Sequence, residues 1–209
     1  ESRKLLELSS QGILRDTAIL DQISERLRHL PLALNIVGSM LRRGVTWEDI
    51  SDALDEGDLQ FVSYGQRSIL SAIASSVSHL TTEDRERYLE LVVFPKDEPL
   101  EEDSVFQLWN KTGNKKPREV RRMLSDFRDQ ALLQNDNGLH DLHHDYLRSV
   151  VKAEKQRELH GIVADAYWQD NWANMAAATN VQYALRRLAY HLFNADRISG
   201  LEALLRDYS

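Results

Sequence analysis

The chain has 209 residues, 42% of them hydrophobic, which is enough for two or three compact units with cores of their own. A net charge of -7 with 28% charged residues describes an acidic chain and argues against a general nucleic-acid binder, which is usually basic. The absence of cysteine rules out a disulfide framework and a thiolate metal site, and no apolar run approaches the roughly 18 residues of a membrane span.

The chain opens on Glu1-Ser2-Arg3-Lys4, which is no signal peptide. It starts inside a helical pattern without an initiator methionine, so a piece of a longer, cytoplasmic protein is expected. Leu5 and Leu8 predict a first helix. Ile19, Ile23 and Leu27 recur every fourth residue and predict a second. Pro31 suits a first helical turn, where its missing N–H would be unpaired anyway. It opens a helix carrying Leu34, Val37, Met40 and Leu41, which stops at Gly44. Thr46 with Asp49 forms a capping-box pattern before a helix with Trp47, Ile50 and Leu54. Residues 1–60 therefore read as a four-helix unit, and Gly57 to Gly65 as a boundary.

Beyond it, Ile69, Ile73 and Val77 mark a helix with a narrow apolar stripe. Thr81 and Asp84 cap another, running through Tyr88, Leu89 and Val92 to a stop at Phe94-Pro95. Val105, Leu108 and Trp109 mark the next helix, and Pro117 opens one with Val120, Met123, Leu124 and Phe127. The clearest β pattern is Ala131 to Gln134, then Asn135-Asp136-Asn137-Gly138, then Leu139 to Leu142. Asn-Gly favours the positive φ of a tight hairpin, so two short strands forming a wing are expected. Helices followed by a small hairpin describe a winged-helix unit over residues 65–150. Amphipathic helices follow over 153–209, carrying Leu159, Ile162, Val163, Ala166 and Tyr167, then Ala184, Leu185, Leu188 and Leu192, then Leu201, Leu204 and Leu205. Asn171-Trp172 to Asn180 reads as the break between the first two. The fold class is mainly α: a helical bundle, a winged helix with a small β-hairpin wing, and a C-terminal helical domain.

Four segments in one order resemble the NB-ARC class of nucleotide switches. Leu30-Pro31-Leu32-Ala33-Leu34 resembles the G-L-P-L-A-L motif, with His29 in the glycine's place. Leu91-Val92-Val93-Phe94-Pro95 with Leu108-Trp109 resembles the L-x-x-F-P and L-W block. Leu139-His140-Asp141-Leu142 resembles M-H-D, with leucine for methionine, as in apoptotic protease-activating factor and its bacterial and fungal relatives. Leu188-Ala189-Tyr190-His191-Leu192, with Ala195, Leu201, Leu204 and Leu205, looks like the helical domain that follows the winged helix there. The resemblance covers nearly the whole chain.

The resemblance implies roles. Pro31 would pack against adenine, although on sequence physics alone it is a first-turn proline. His140 would contact the β-phosphate of ADP, since imidazole can donate a hydrogen bond to phosphate oxygen. Asp141 reads as the N-cap of a helix from Leu142 to Val151. The implied partners are an upstream P-loop domain in cis, a downstream repeat domain of WD type, and other copies of the activated parent in an oligomer. ADP or ATP would be held only with the P-loop domain.

Other chemistry has less support. His140 and His144 are spaced like the ligands of H-E-x-x-H, but the wing would put His140 before the helix, and no third ligand is evident, so no metal is expected. Lys111, Lys115, Lys116, Arg118, Arg121, Arg122 and Arg128 form a basic cluster that a DNA-binding winged helix could use, or a solvated face balanced by the acidic Asp97–Asp103 stretch. No G-x-x-x-x-G-K-[ST] motif exists, so no catalytic residue is named and the chain alone is not expected to hydrolyse ATP. The alternative readings are a winged-helix DNA binder and a stand-alone protein-interaction module.

Overall fold

The structure, a computed structural model, describes residues 1–13, 16–56, 64–96, 98–168 and 181–206. It is mainly α. In chain order the helices are α1 (Ser2–Ser9), α2 (Thr17–Arg26), α3 (Pro31–Arg42), α4 (Trp47–Glu56), α5 (Tyr64–Ser78) and α6 (Thr82–Glu90). A 3-10 turn, Leu91–Val93, follows. Then come α7 (Glu102–Gly113), α8 (Pro117–Asp129), α9 (Asp141–Val150), α10 (Ala153–Tyr167), α11 (Val181–Asn194) and α12 (Ile198–Arg206). Among the described residues no helix is long and apolar enough to cross a membrane.

The predicted helix starts rest on visible caps. Thr46 Oγ1 accepts from Asp49 N at 3.1 Å and donates to Asp49 Oδ2 at 2.7 Å. Thr81 and Asp84 repeat that geometry at the start of α6. Pro31 and Pro117 occupy the first turns of α3 and α8. The ends share one device. In α1, α2, α3, α8 and α11 the second residue past the helix turns to positive φ: Gln11, Arg28, Gly44, Ala131 and Asp196. The next N–H then reaches back to a last-turn carbonyl, as in Leu132 N to Phe127 O at 2.9 Å and His29 N to Ser24 O at 2.8 Å. These closures return the last-turn carbonyls to hydrogen bonding and turn the chain sharply toward its next helix.

That device explains where the expected hairpin differs. Ala131 sits at φ 56, a left-handed angle that ends α8 and is incompatible with a strand. The N–H groups of Leu132 and Leu133 both go to Phe127 O, so their donors are spent inside α8's own closure. The Asn137-Gly138 turn does form, with Gln134 N bonded to Gly138 O at 2.9 Å. The flanking strands do not; among the described residues the β pairing is one isolated antiparallel bridge between Pro99 and Gly138. The helix through Val92 is also shorter than expected, since α6 stops at Glu90 and the 3-10 turn takes over.

α3 is apolar almost all round and is buried from Ala33 to Leu41 except at Asn35. It packs on α1 and α5, and Gly38 lets α1 approach so closely that a side chain there would collide with Ser9. α5 rests on α3 and α4 and also on α9, so it joins the N-terminal helices to the middle of the chain. α7 packs on α8 and α10, α10 on α11, and α11 on α12. Among the described residues Trp109, Tyr88, Phe94 and Phe127 are the largest fully buried side chains, and Tyr88 and Trp109 meet Phe127 edge-on at 5.4 and 6.1 Å. The Phe94 and Trp109 positions of the resemblance are thus core positions. Of the predicted boundary from Gly57 to Gly65, residues 57–63 lie outside the described residues and Tyr64 and Gly65 already belong to α5; the break at 171–180 and the side chains of Leu54 and Leu205 also lie outside them.

Candidate functional site

Pro31 and His140 belong to elements that meet at one cleft. Arg28 and His29 both adopt positive φ, 53 and 58, where α2 closes, and Pro31 begins α3 two residues after His29. His29 stands where glycine would be unstrained. Pro31 itself is exposed, while its neighbour Leu32 enters the cleft wall with Asn35, Ser39 and Arg42 of the same α3 face. The spacing of these four residues is helical and gives one stripe. The opposite wall comes from the end of α8, the turn after it, and the start of α9, including Arg128, Gln134, His140 and His143. The cleft measures about 420 Å³. Its base is stitched together: Ser39 Oγ and Arg42 both donate to the Asp129 carbonyl.

His140 is half-buried and is the N-cap of α9, with φ -62 and ψ 145. Its Nδ1 accepts from Leu142 N at 3.2 Å. An imidazole nitrogen that accepts carries no hydrogen, so in the neutral ring the hydrogen is on Nε2, which is a donor. Asp141 is therefore not the N-cap that the sequence suggested. The helix starts one residue earlier because the His140 ring takes the orphan N–H, and Asp141 becomes its first residue, paired with Lys96 at 3.3 Å. A carboxylate there also complements the positive helix end.

His143 matches no position of the resemblance and lies in the first turn of α9. It is 2% exposed in the cleft wall. Its Nδ1 lies 2.7 Å from Tyr88 Oη. Burial pushes the His143 pKa down to about 3, with the nearby His140 adding to the shift, so the ring is neutral at pH 7. Burial raises the Tyr88 phenol well above its usual value, so it keeps its proton and has one to donate to Nδ1. In the tautomer that accepts from Tyr88, the hydrogen of His143 is on Nε2, which has no hydrogen-bond partner. A sequence signal for this was present: His143, Leu147 and Val151 recur every fourth residue, and all three are buried.

His144 is also buried and lowered by burial, but it does not line this cleft. Among the described residues no three histidine, aspartate or glutamate side chains are placed to hold a metal ion. Much of the basic cluster is paired: Lys115 with Glu83, Arg121 with Glu102 at 2.8 Å, Arg122 with Asp126 at 3.9 Å, and Arg128 with Asn137. Such pairing reduces the charge free to meet a phosphate backbone.

No protein-family model matches the chain, and no curated protein matches it.

Proposed function

We propose that the chain is the regulatory part of an ADP/ATP-dependent switch of NB-ARC type. The observation that carries this reading is the shared cleft: the helix that Pro31 opens forms one wall, and His140, presenting Nε2–H, forms part of the other. The cleft's donors fit an anionic group. Two guanidinium groups, those of Arg42 and Arg128, line it together with the two imidazoles, against one carboxylate, that of Asp129.

In this reading residues 1–60 are the helical unit, 65–150 a winged helix whose wing is reduced to the Gln134–Gly138 turn, and 153–209 the start of a second helical domain. Pro31 offers a rigid apolar face for adenine, and His140 donates to the β-phosphate. A P-loop domain in cis supplies the remaining phosphate contacts, and ADP bound there supplies negative charge that ties the units together. Without the His140 contact the winged helix is free to turn, which exposes surface for homo-oligomer assembly. Such control requires that the nucleotide favour one arrangement over the other. The parent is placed in the cytoplasm, with a WD-type repeat domain downstream.

The test is His140→Ala in the P-loop-containing parent. A hydrogen bond to a charged group is worth about 1.5–3 kcal/mol, so the closed state should lose roughly one to two decades of population. Faster ADP release and a larger oligomer without a trigger are expected, read by nucleotide retention and by mass. ADP retention equal to wild type would overturn the reading.

A further inference from the structure

Packing alone gives no reason for a histidine at position 143. The site is 2% exposed, and accepting from the buried Tyr88 hydroxyl accounts for Nδ1 but gives no reason to bury Nε2 without a partner. Trp109 Nε1 and His144 Nε2 also lack partners, but neither residue lines the cleft that His140 lines. His143 does, one helical turn beyond His140, so the two rings sit on neighbouring positions of the same helix end.

We propose that His143 Nε2–H is a second hydrogen-bond donor of the cleft, and that Tyr88 is a positioning residue that fixes the ring in the tautomer the task needs. The ligand class is a diphosphate-bearing one, recognised through its anionic oxygens. This inference rests on the reading of the cleft as a phosphate site. The Tyr88 hydroxyl occupies Nδ1 as an acceptor, so the ring's hydrogen is held on Nε2. Because burial keeps the ring neutral, His143 contributes a directional hydrogen bond and not a charge. Nε2 is itself buried, so engagement includes a local rearrangement of the cleft wall around the ligand. His140 and His143 then act together: one is held by its own helix cap, the other by a tyrosine 55 residues away in sequence.

The experiment is imidazole ¹⁵N NMR on the 209-residue chain, titrated with sodium pyrophosphate into the tens of millimolar against potassium chloride of equal ionic strength. The Nε2 resonances of His140 and His143 are both expected to shift with one midpoint, and only with pyrophosphate. His143→Phe keeps the ring volume and removes the donor. It should weaken binding by about tenfold or more while His140 still responds. Tyr88→Phe should weaken binding less and let the other tautomer of His143 appear in the free chain. A His140 response with His143 Nε2 unmoved, and an unchanged midpoint in His143→Phe, overturns this inference and leaves the phosphate reading standing. Equal shifts in potassium chloride, or no response from either ring, also overturn this inference, while the switch reading stands or falls on ADP retention in the P-loop-containing parent. The wild-type ring shifts decide the matter even where His143→Phe folds poorly.

Discussion

Two buried histidine clusters sit at helix junctions in this molecule, and their hydrogen bonding differs. Between α10 and α11, His160 Nδ1 meets His191 Nδ1 at 3.0 Å, and Tyr183 Oη meets His191 Nε2 at 2.7 Å. Phe94 packs edge-on against Tyr183 and His191. Both nitrogens of His191 are used, so the cluster is closed, and its work is to hold α11 on α10 and on the Phe94 segment. At the start of α9, His143 shares one nitrogen with Tyr88 and leaves the other unpaired beside a cleft. Burial lowers the pKa of both clusters in the same way. Completed hydrogen bonding marks the first as architecture, and incomplete bonding beside open space marks the second as a place for a ligand.

Truncation should separate the two most sharply. His191→Ala removes a ring that is 1% exposed and strands both Tyr183 and His160, so a loss of about 3–5 kcal/mol is expected in urea unfolding. His143→Ala strands only the Tyr88 hydroxyl and removes an atom that was already unpaired, so its cost should be clearly smaller. Equal losses at the two sites would erase the distinction.

Acid should act on both clusters at once. Burial takes His143, His160 and His191 from an ordinary 6.5 down to about 3, 4 and 3. The unfolded chain therefore binds three protons near pH 6.5 that the folded chain does not. That stability is fully present above pH 6.5 and is lost as the pH falls. Glu90 opposes it: burial raises its carboxyl to about 7, so the folded chain takes that proton first and gains stability below pH 7. These three groups against Glu90 leave a net loss of about 3 kcal/mol between pH 7 and pH 5, and His144, lowered by burial too, adds to it. Unfolding midpoints across that range check it, and a flat profile would mean the rings are not held neutral by burial.

The smallest effect concerns the approach to Pro31. His29 carries φ 58 and is exposed. His29→Gly relieves the left-handed strain but gives up the 3.0 Å contact with Ser2 and adds freedom to the unfolded chain, so a net gain of roughly 0.5 kcal/mol is expected. A thermal midpoint that falls would show that the His29 side chain, and not the backbone, governs this turn.

Local chemistry made much of the fold legible. Thr46 with Asp49, Thr81 with Asp84, Pro31 and Pro117 announce helix starts because each acts within one turn of itself. The Asn137-Gly138 turn is equally local, and it forms. The strands expected beside it do not, because a strand needs a partner. Leu132 and Leu133 gave their N–H groups to Phe127, while Gly138 bridges to Pro99 nearly forty positions earlier in the chain.

The candidate site divides along the same line. Resemblance singled out Pro31 and His140, whereas the sequence by itself determined helix order, caps and most of the buried stripes. It assigned the N-cap to Asp141, because it could not show that the His140 ring folds back onto Leu142 N. It passed over His143, whose meaning depends on Tyr88 from a different helix and on a cleft walled by α3. Hydrogen bonds, caps and turns within a few residues are written in the local sequence. Which buried donor is left unpaired, and beside what space, is set by contacts between residues far apart in the chain, and those exist only once the helices have packed.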